Sequence, residues 1–166
     1  MRMRMFAAAS LVIALSVFAF AQQPGGGRGG RGAAPLPPTD TTNATQVTAA
    51  ELTAALAALG TERPNSTVRV FSIAPYTANI EHRTNQPQNG SVHEDEAELF
   101  YVVDGSGTMV TGGKLVGEAA KTIEGGTVHK LNKGDFVIVP KGVPHWFSQI
   151  DGQVLNIMSL HLPMPK

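Results

Sequence analysis

Two periodicities divide the chain. Over Thr48 to Gly60, TAAELTAALAALG, the residues Leu52, Leu56 and Leu59 recur at i, i+4 and i+7, which places them on one face of an α-helix. Thr48 and Glu51 stand at capping-box spacing, and Gly60 sits where a helix would stop. The pattern predicts one short amphipathic helix within residues 46–60, with its leucine stripe packed on the outside of the following domain or on a partner subunit. From Ser66 onward the period shortens to two. The segments STVRVFSIA, YTANIEHRT, AELFYVVDG, GTMVTG, GKLVG, GTVHKL, DFVIVP, HWFSQI and QVLNIMSLHL are short and rich in β-branched or aromatic residues. They are parted by turn signals such as Asn89-Gly90, Asp104-Gly105, Gly112-Gly113, Gly125-Gly126, Asn132-Lys133-Gly134 and Asp151-Gly152. Many short strands with frequent turns predict an all-β sandwich or barrel over residues 61–166.

The segment before the helix follows neither period. Arg2 and Arg4 give a positive start, Met5 to Phe20 is an apolar run shorter than a comfortable membrane span, and Ala19-Phe20-Ala21 has the small-x-small pattern of a cleavage site. Residues 1–21 are expected to be a signal peptide, which makes the protein exported, periplasmic or secreted, with no stable membrane insertion after cleavage. Residues 22–38, QQPGGGRGGRGAAPLPP, have too much glycine and proline to build a core, and residues 22–45 are expected to form a disordered linker.

Composition narrows the function classes. The 166 residues carry 13 basic and 13 acidic side chains, and removal of Arg2 and Arg4 with the signal leaves 11 basic, a net of minus two. Nucleic acid is not an expected partner, because the basic pair Arg28 and Arg31 lies in the glycine-rich tail without aromatic residues to stack on bases. The chain has no cysteine, so its stability rests on the apolar core without disulfides. It also lacks a glycine-rich phosphate loop, a Gly-x-Ser-x-Gly elbow and a cysteine nucleophile.

The stretch Gly134 to Gln149, GDFVIVPKGVPHWFSQ, spaces Gly134, Pro140, Gly142 and His145 in a way that resembles the second conserved motif of the cupin superfamily, with Gln149 where that family usually has Asn. Upstream, Glu98 and Gly105 are similar to the end of the first cupin motif, His93 falls at its second histidine, and Ser91 and Asn85 replace its usual first histidine and initial glycine. The resemblance covers roughly Ser66 to Leu162 and implies a cupin-type jelly-roll β-barrel.

The residues argue for a site in their own right. Alternation places Glu98, Phe100 and Val102 on one face, and groups His145 with Phe147 and Gln149. A carboxylate in an apolar strand costs several kcal/mol when unpaired, so a compensating cation is expected. His93, Glu98 and His145 together make a two-histidine, one-carboxylate set for one divalent transition metal, with iron, manganese, zinc, nickel and copper all compatible. Glu98 is alternatively the candidate catalytic general base, with the open ligand position filled by water. Phe100, Val102, Phe136, Ile138 and Phe147 are expected to line or close the barrel, while Tyr101 and Trp146 take the opposite faces. His82, His129 and His161 are read as surface or hydrogen-bonded histidines, Glu94, Asp95 and Glu96 as a solvated acidic loop, and Arg83 as a solvated strand-end arginine.

Two functions fit this sequence. One is a metal-dependent cupin enzyme acting on a small molecule by oxygenase, isomerase or lyase chemistry. The other is a non-catalytic module that binds a small ligand such as a sugar or organic acid. A homodimer is expected, because small barrels tend to bury an edge strand or an apolar helix in a two-fold interface.

Overall fold

The computed structural model describes residues 36–119 and 121–165, so the expected signal peptide and residues 22–35 of the expected linker lie outside the described residues. Helix α1 spans Ala49–Ala57. Its capping box is formed: the Thr48 hydroxyl accepts from the Glu51 backbone N–H at 3.2 Å, and the Glu51 carboxylate accepts from the Thr48 N–H at 2.8 Å. Ala55 is its buried residue, and the leucine stripe is half-buried. No helix among the described residues is long and apolar enough to cross a membrane.

Eight strands follow: β1 (Asn65–Ile73), β2 (Tyr76–Thr84), β3 (Glu96–Thr111), β4 (Lys114–Val116), β5 (Thr122–Glu124), β6 (Thr127–Asn132), β7 (Phe136–Val139) and β8 (His145–Pro163). Six of them form an antiparallel sheet in the order β1-β2-β8-β3-β6, with β7 also paired to β3, and β4 and β5 form a separate hairpin. This is the expected all-β jelly roll. Its spine is the pairing of β3 with β8, which runs from Glu96 opposite Pro163 to Thr111 opposite His145.

The two spine strands correct the expected turns. Asp104-Gly105 and Asp151-Gly152 bend strands that continue through them. Gly105 adopts φ +87° and Gly152 φ +67°, and the β3–β8 register shifts on either side of Asp104. At Gly105 a side chain is excluded twice over, since an added Cβ would lie 2.5 Å from the Val154 carbonyl oxygen. The short strand β5 was not expected; KTIE carries too few apolar residues to announce a strand.

Directly paired residues share a face of a sheet, so the strand register builds the interior rung by rung. One rung joins Thr77, His161, Glu98 and Val139; the next joins Asn79, Ser159, Phe100 and Val137; a third joins Glu81, Ile157 and Val102. The core consists of Phe100, Val102, Met109, Leu131, Val139, Phe147, Ile150, Leu155 and Ile157. On β7 the expected parity is reversed: Val139 is buried, while Phe136 and Ile138 are 66% and 58% exposed. Tyr101 lies on that outer face with its ring centroid 4.5 Å from that of Phe136. On β8, His145 and Phe147 point inward as expected, but Gln149 does not. A register shift between Thr108 and Met109 sets two residues of β8 against one of β3, so Ile150 takes the inward place and Gln149 is exposed.

Arg83 is likewise not solvated. Its guanidinium pairs with Glu81, with Nε donating at 2.7 Å, donates to the Gln88 side-chain oxygen at 3.1 Å, and lies 4.1 Å over the Phe147 ring. Both charged side chains are about nine-tenths buried in this contact.

Candidate metal centre

The site is assembled by a turn and a bridge. The Val143 N–H donates to the Pro140 carbonyl at 3.1 Å, and Gly142 occupies the third position of this turn with φ +75°, the conformation that a type II turn reserves for glycine. The Gly142 N–H in turn donates to the His93 carbonyl at 2.8 Å, fastening the histidine-bearing loop to the turn. Three residues on, His145 forms an isolated antiparallel bridge with Ser91. Their side chains also meet, with Ser91 Oγ 2.9 Å from His145 Nε2.

Glu98 is the point on which the imidazoles converge. Its Oε2 lies 3.1 Å from His93 Nε2 and 3.3 Å from His145 Nε2, and its Oε1 lies 3.4 Å from His161 Nε2. The Glu98 and His145 side chains are each 3% exposed, whereas those of His93 and His161 are 31% and 23% exposed. The site thus has a buried floor and a rim open to solvent. Phe100 packs edge-on against the His145 ring at 5.6 Å, so the floor is apolar beneath the nitrogen ligands.

Electrostatics show what this arrangement lacks. Burial pushes the Glu98 carboxyl upward and is the largest single influence on it, but contact with His145 and the charges of His145, His161 and His93 together outweigh it, so Glu98 titrates below the ordinary carboxylate range. Glu98 Oε2 and His145 Nδ1 are nevertheless buried without a hydrogen-bond partner among the described residues. His161 Nδ1 lies 2.6 Å from Glu96 Oε1, and an ionised carboxylate only accepts, so that nitrogen carries the hydrogen. In the neutral ring the lone pair of Nε2 therefore faces a carboxylate oxygen. Two acceptors set against one another call for positive charge between them, either a proton or a cation. His93, Glu98 and His161 offer ligand atoms that all lie within 4.8 Å of one another, and imidazole with carboxylate suits a divalent transition metal. The donor set fits such an ion.

The three residues proposed from spacing, His93, Glu98 and His145, are therefore brought together. His161 and Glu96 join them, which corrects the assignments of His161 as a bystander and of Glu96 as part of a solvated loop. The signal for His161 was parity: Leu155, Ile157, Ser159 and His161 alternate inward along β8. The other two histidines stay apart, His82 bonded to Asn156 and His129 to Thr111, each at 2.8 Å. Gln149 lines a separate cavity of about 330 Å³ with Asn85, Gln86, Gln88 and Trp146.

A family model described as "Cupin domain" matches residues 80–160, the stretch that carries the paired motifs, the bridge and the spine. Residues 80–160 form a domain of the cupin superfamily. A Bacillus halodurans protein superposes with a TM-score of 0.55 at 12% identity, covering 77% of this chain and 88% of its own. The cupin domain of Schizosaccharomyces pombe Cnp3 gives a TM-score of 0.49 at 13% identity over 66% of this chain and 72% of that one. A cupin protein from Bacteroides fragilis gives 0.47 at 11% identity over 63% and 81%. No curated protein matches the chain. Within the cupin pattern, Ser91 stands where an imidazole is usual, and His161 enters the site from the last strand, just beyond the matched span.

Proposed function

We propose that this protein is an exported cupin that acts on a small organic molecule at a mononuclear divalent metal site held by His93, Glu98 and His145, with His161 as a further ligand. The observation that carries this reading is Glu98 Oε2, buried without a hydrogen bond while two imidazole nitrogens face it at 3.1 and 3.3 Å. A divalent ion there would supply Lewis acidity, or redox chemistry if it is iron or copper. The chain's own residues do the rest. The rim formed by His93 and His161 admits the substrate, and Phe100 and Val102 keep bulk water from the floor; in the alternative in which Glu98 does not ligate the ion, its ionised carboxylate accepts a proton from the bound molecule. Oxygenase, isomerase and lyase chemistry are all open to such a site.

Elemental analysis of protein reconstituted with metal, before and after His145→Ala, tests the reading. One bound divalent ion per chain that the substitution removes supports it; a chain that takes up none overturns it. One observation favours a second reading, a non-catalytic module that captures a sugar or organic acid: His145 Nε2 is engaged by the Ser91 hydroxyl. Product analysis on any ligand found by thermal-shift screening separates the two, with a ligand recovered unchanged favouring the module. We also assign the protein a homodimeric state, supported by the apolar outer face of Phe136, Ile138 and Tyr101 at the β7 edge.

A further inference from the structure

We propose that Glu96 is a positioning residue for this centre: its carboxylate turns the His161 ring, and less tightly the His93 ring, so that both present Nε2 to Glu98 and His161 supplies the imidazole that Ser91 does not. This inference rests on the metal-site reading above.

Glu96 opens β3 two residues before Glu98, and strand alternation puts both carboxylates on the same face. Its neighbours Glu94 and Asp95 are exposed, but the Glu96 side chain is only 28% exposed and is turned into the rim. One oxygen, Oε1, stands between two rings: it accepts from His161 Nδ1 at 2.6 Å and lies 3.6 Å from His93 Nδ1. Each ring therefore directs its other nitrogen at Glu98, at 3.4 Å for His161 and 3.1 Å for His93. Among the described residues the His161 ring makes no other hydrogen bond, and the 3.6 Å approach to His93 is a looser charge contact. An outer carboxylate on Nδ1 fixes the tautomer with a free lone pair at Nε2, makes that nitrogen a stronger ligand, and locks the ring orientation; loss of such a partner typically weakens metal binding by about 10–100-fold.

The test is a Co2+ titration, followed by the visible absorption of the bound ion, on the wild type, Glu96→Gln, Glu96→Ala, His161→Ala and the Glu96→Ala/His161→Ala double variant, with thermal unfolding of each protein free of metal. Glu96→Ala is expected to weaken Co2+ binding by about 10–100-fold and to alter the absorption bands. Glu96→Gln recovers part of the loss, because its amide oxygen still accepts from Nδ1. Most of the loss disappears when His161 is already alanine, because Glu96 acts through that ring. Equal loss in both backgrounds, or unchanged affinity in Glu96→Ala, overturns the inference. So does a loss matched by a comparable drop in metal-free stability. A wild type that takes up no Co2+ overturns the metal-site reading itself, and this inference with it.

Discussion

Ser91 and His145 hold each other by backbone and side chain at once: each N–H donates to the other's carbonyl at 2.9 Å, and the serine hydroxyl lies 2.9 Å from the imidazole Nε2 that also faces Glu98. The hydroxyl competes for the nitrogen the site would use. Ser91→Ala removes the competitor and is expected to leave metal affinity equal or higher. Ser91→His adds an imidazole and is expected to raise it, each tenfold gain corresponding to about 1.4 kcal/mol. Isothermal titration with Zn2+ checks both, and weaker binding in Ser91→Ala would show that the hydroxyl orients His145 for the ion.

The buried pair of Arg83 and Glu81 gives a stability prediction. Arg83→Leu strands the Glu81 carboxylate inside the barrel and is expected to cost about 3–5 kcal/mol in urea unfolding. Replacing both residues with apolar ones of similar size should restore much of that. A single variant as stable as the wild type would mean that water reaches Glu81.

The cap of α1 makes a pH prediction. The Glu51 carboxyl lies below its ordinary value of 4.5 because it accepts from the Thr48 backbone N–H and, secondarily, from its hydroxyl. A depressed carboxylate contributes stability that is present above its unfolded value and lost as pH falls through the folded one. Protection of the Glu51 and Leu52 amides, taken as exchange relative to the intrinsic rate at each pH, should therefore fall below about pH 4.5 in the wild type. In Glu51→Gln, which keeps the box without the charge, it should be level across that window. Equal pH dependence in the two proteins would place the titrating group elsewhere.

Phe136→Lys and Ile138→Lys put charge on the exposed apolar face of β7, where neither side chain supports the core. Both are expected to convert a dimer to monomer in analytical ultracentrifugation with little change in thermal stability. A dimer that persists in both would move the interface to another face.

How far the sequence reached depended on whether a signal was local. β2 was delimited at Tyr76 and Thr84 by its own alternation and neighbouring turns, and parity grouped Glu98, Phe100 and Val102 on one face. The motif spacing assembled His93, Glu98 and His145. Errors arose where pairing between distant strands overrides local pattern. Gly105 and Gly152 carry the marks of turns, yet they bend strands whose partners continue past them. The alternating run on β7 does not say which parity is inside; only its register on β3 does. Gln149 was displaced by a bulge, and Arg83 was buried by the partners that Glu81, Gln88 and Phe147 provide. His161 lies 63 positions from Glu98 and is set opposite it by the β3–β8 register, a relation no spacing motif encodes.

That register also sets an order of events. Glu98, His93 and His145 all precede His161, which sits near the end of the last barrel strand, so the donor set closes only after nearly the whole barrel has emerged and β8 has docked. In an unfolded chain these side chains are scattered and hydrated. On the metal-site and export readings proposed above, capture of an ion would wait for the compartment in which folding finishes, and the metal available there would decide what the site takes up.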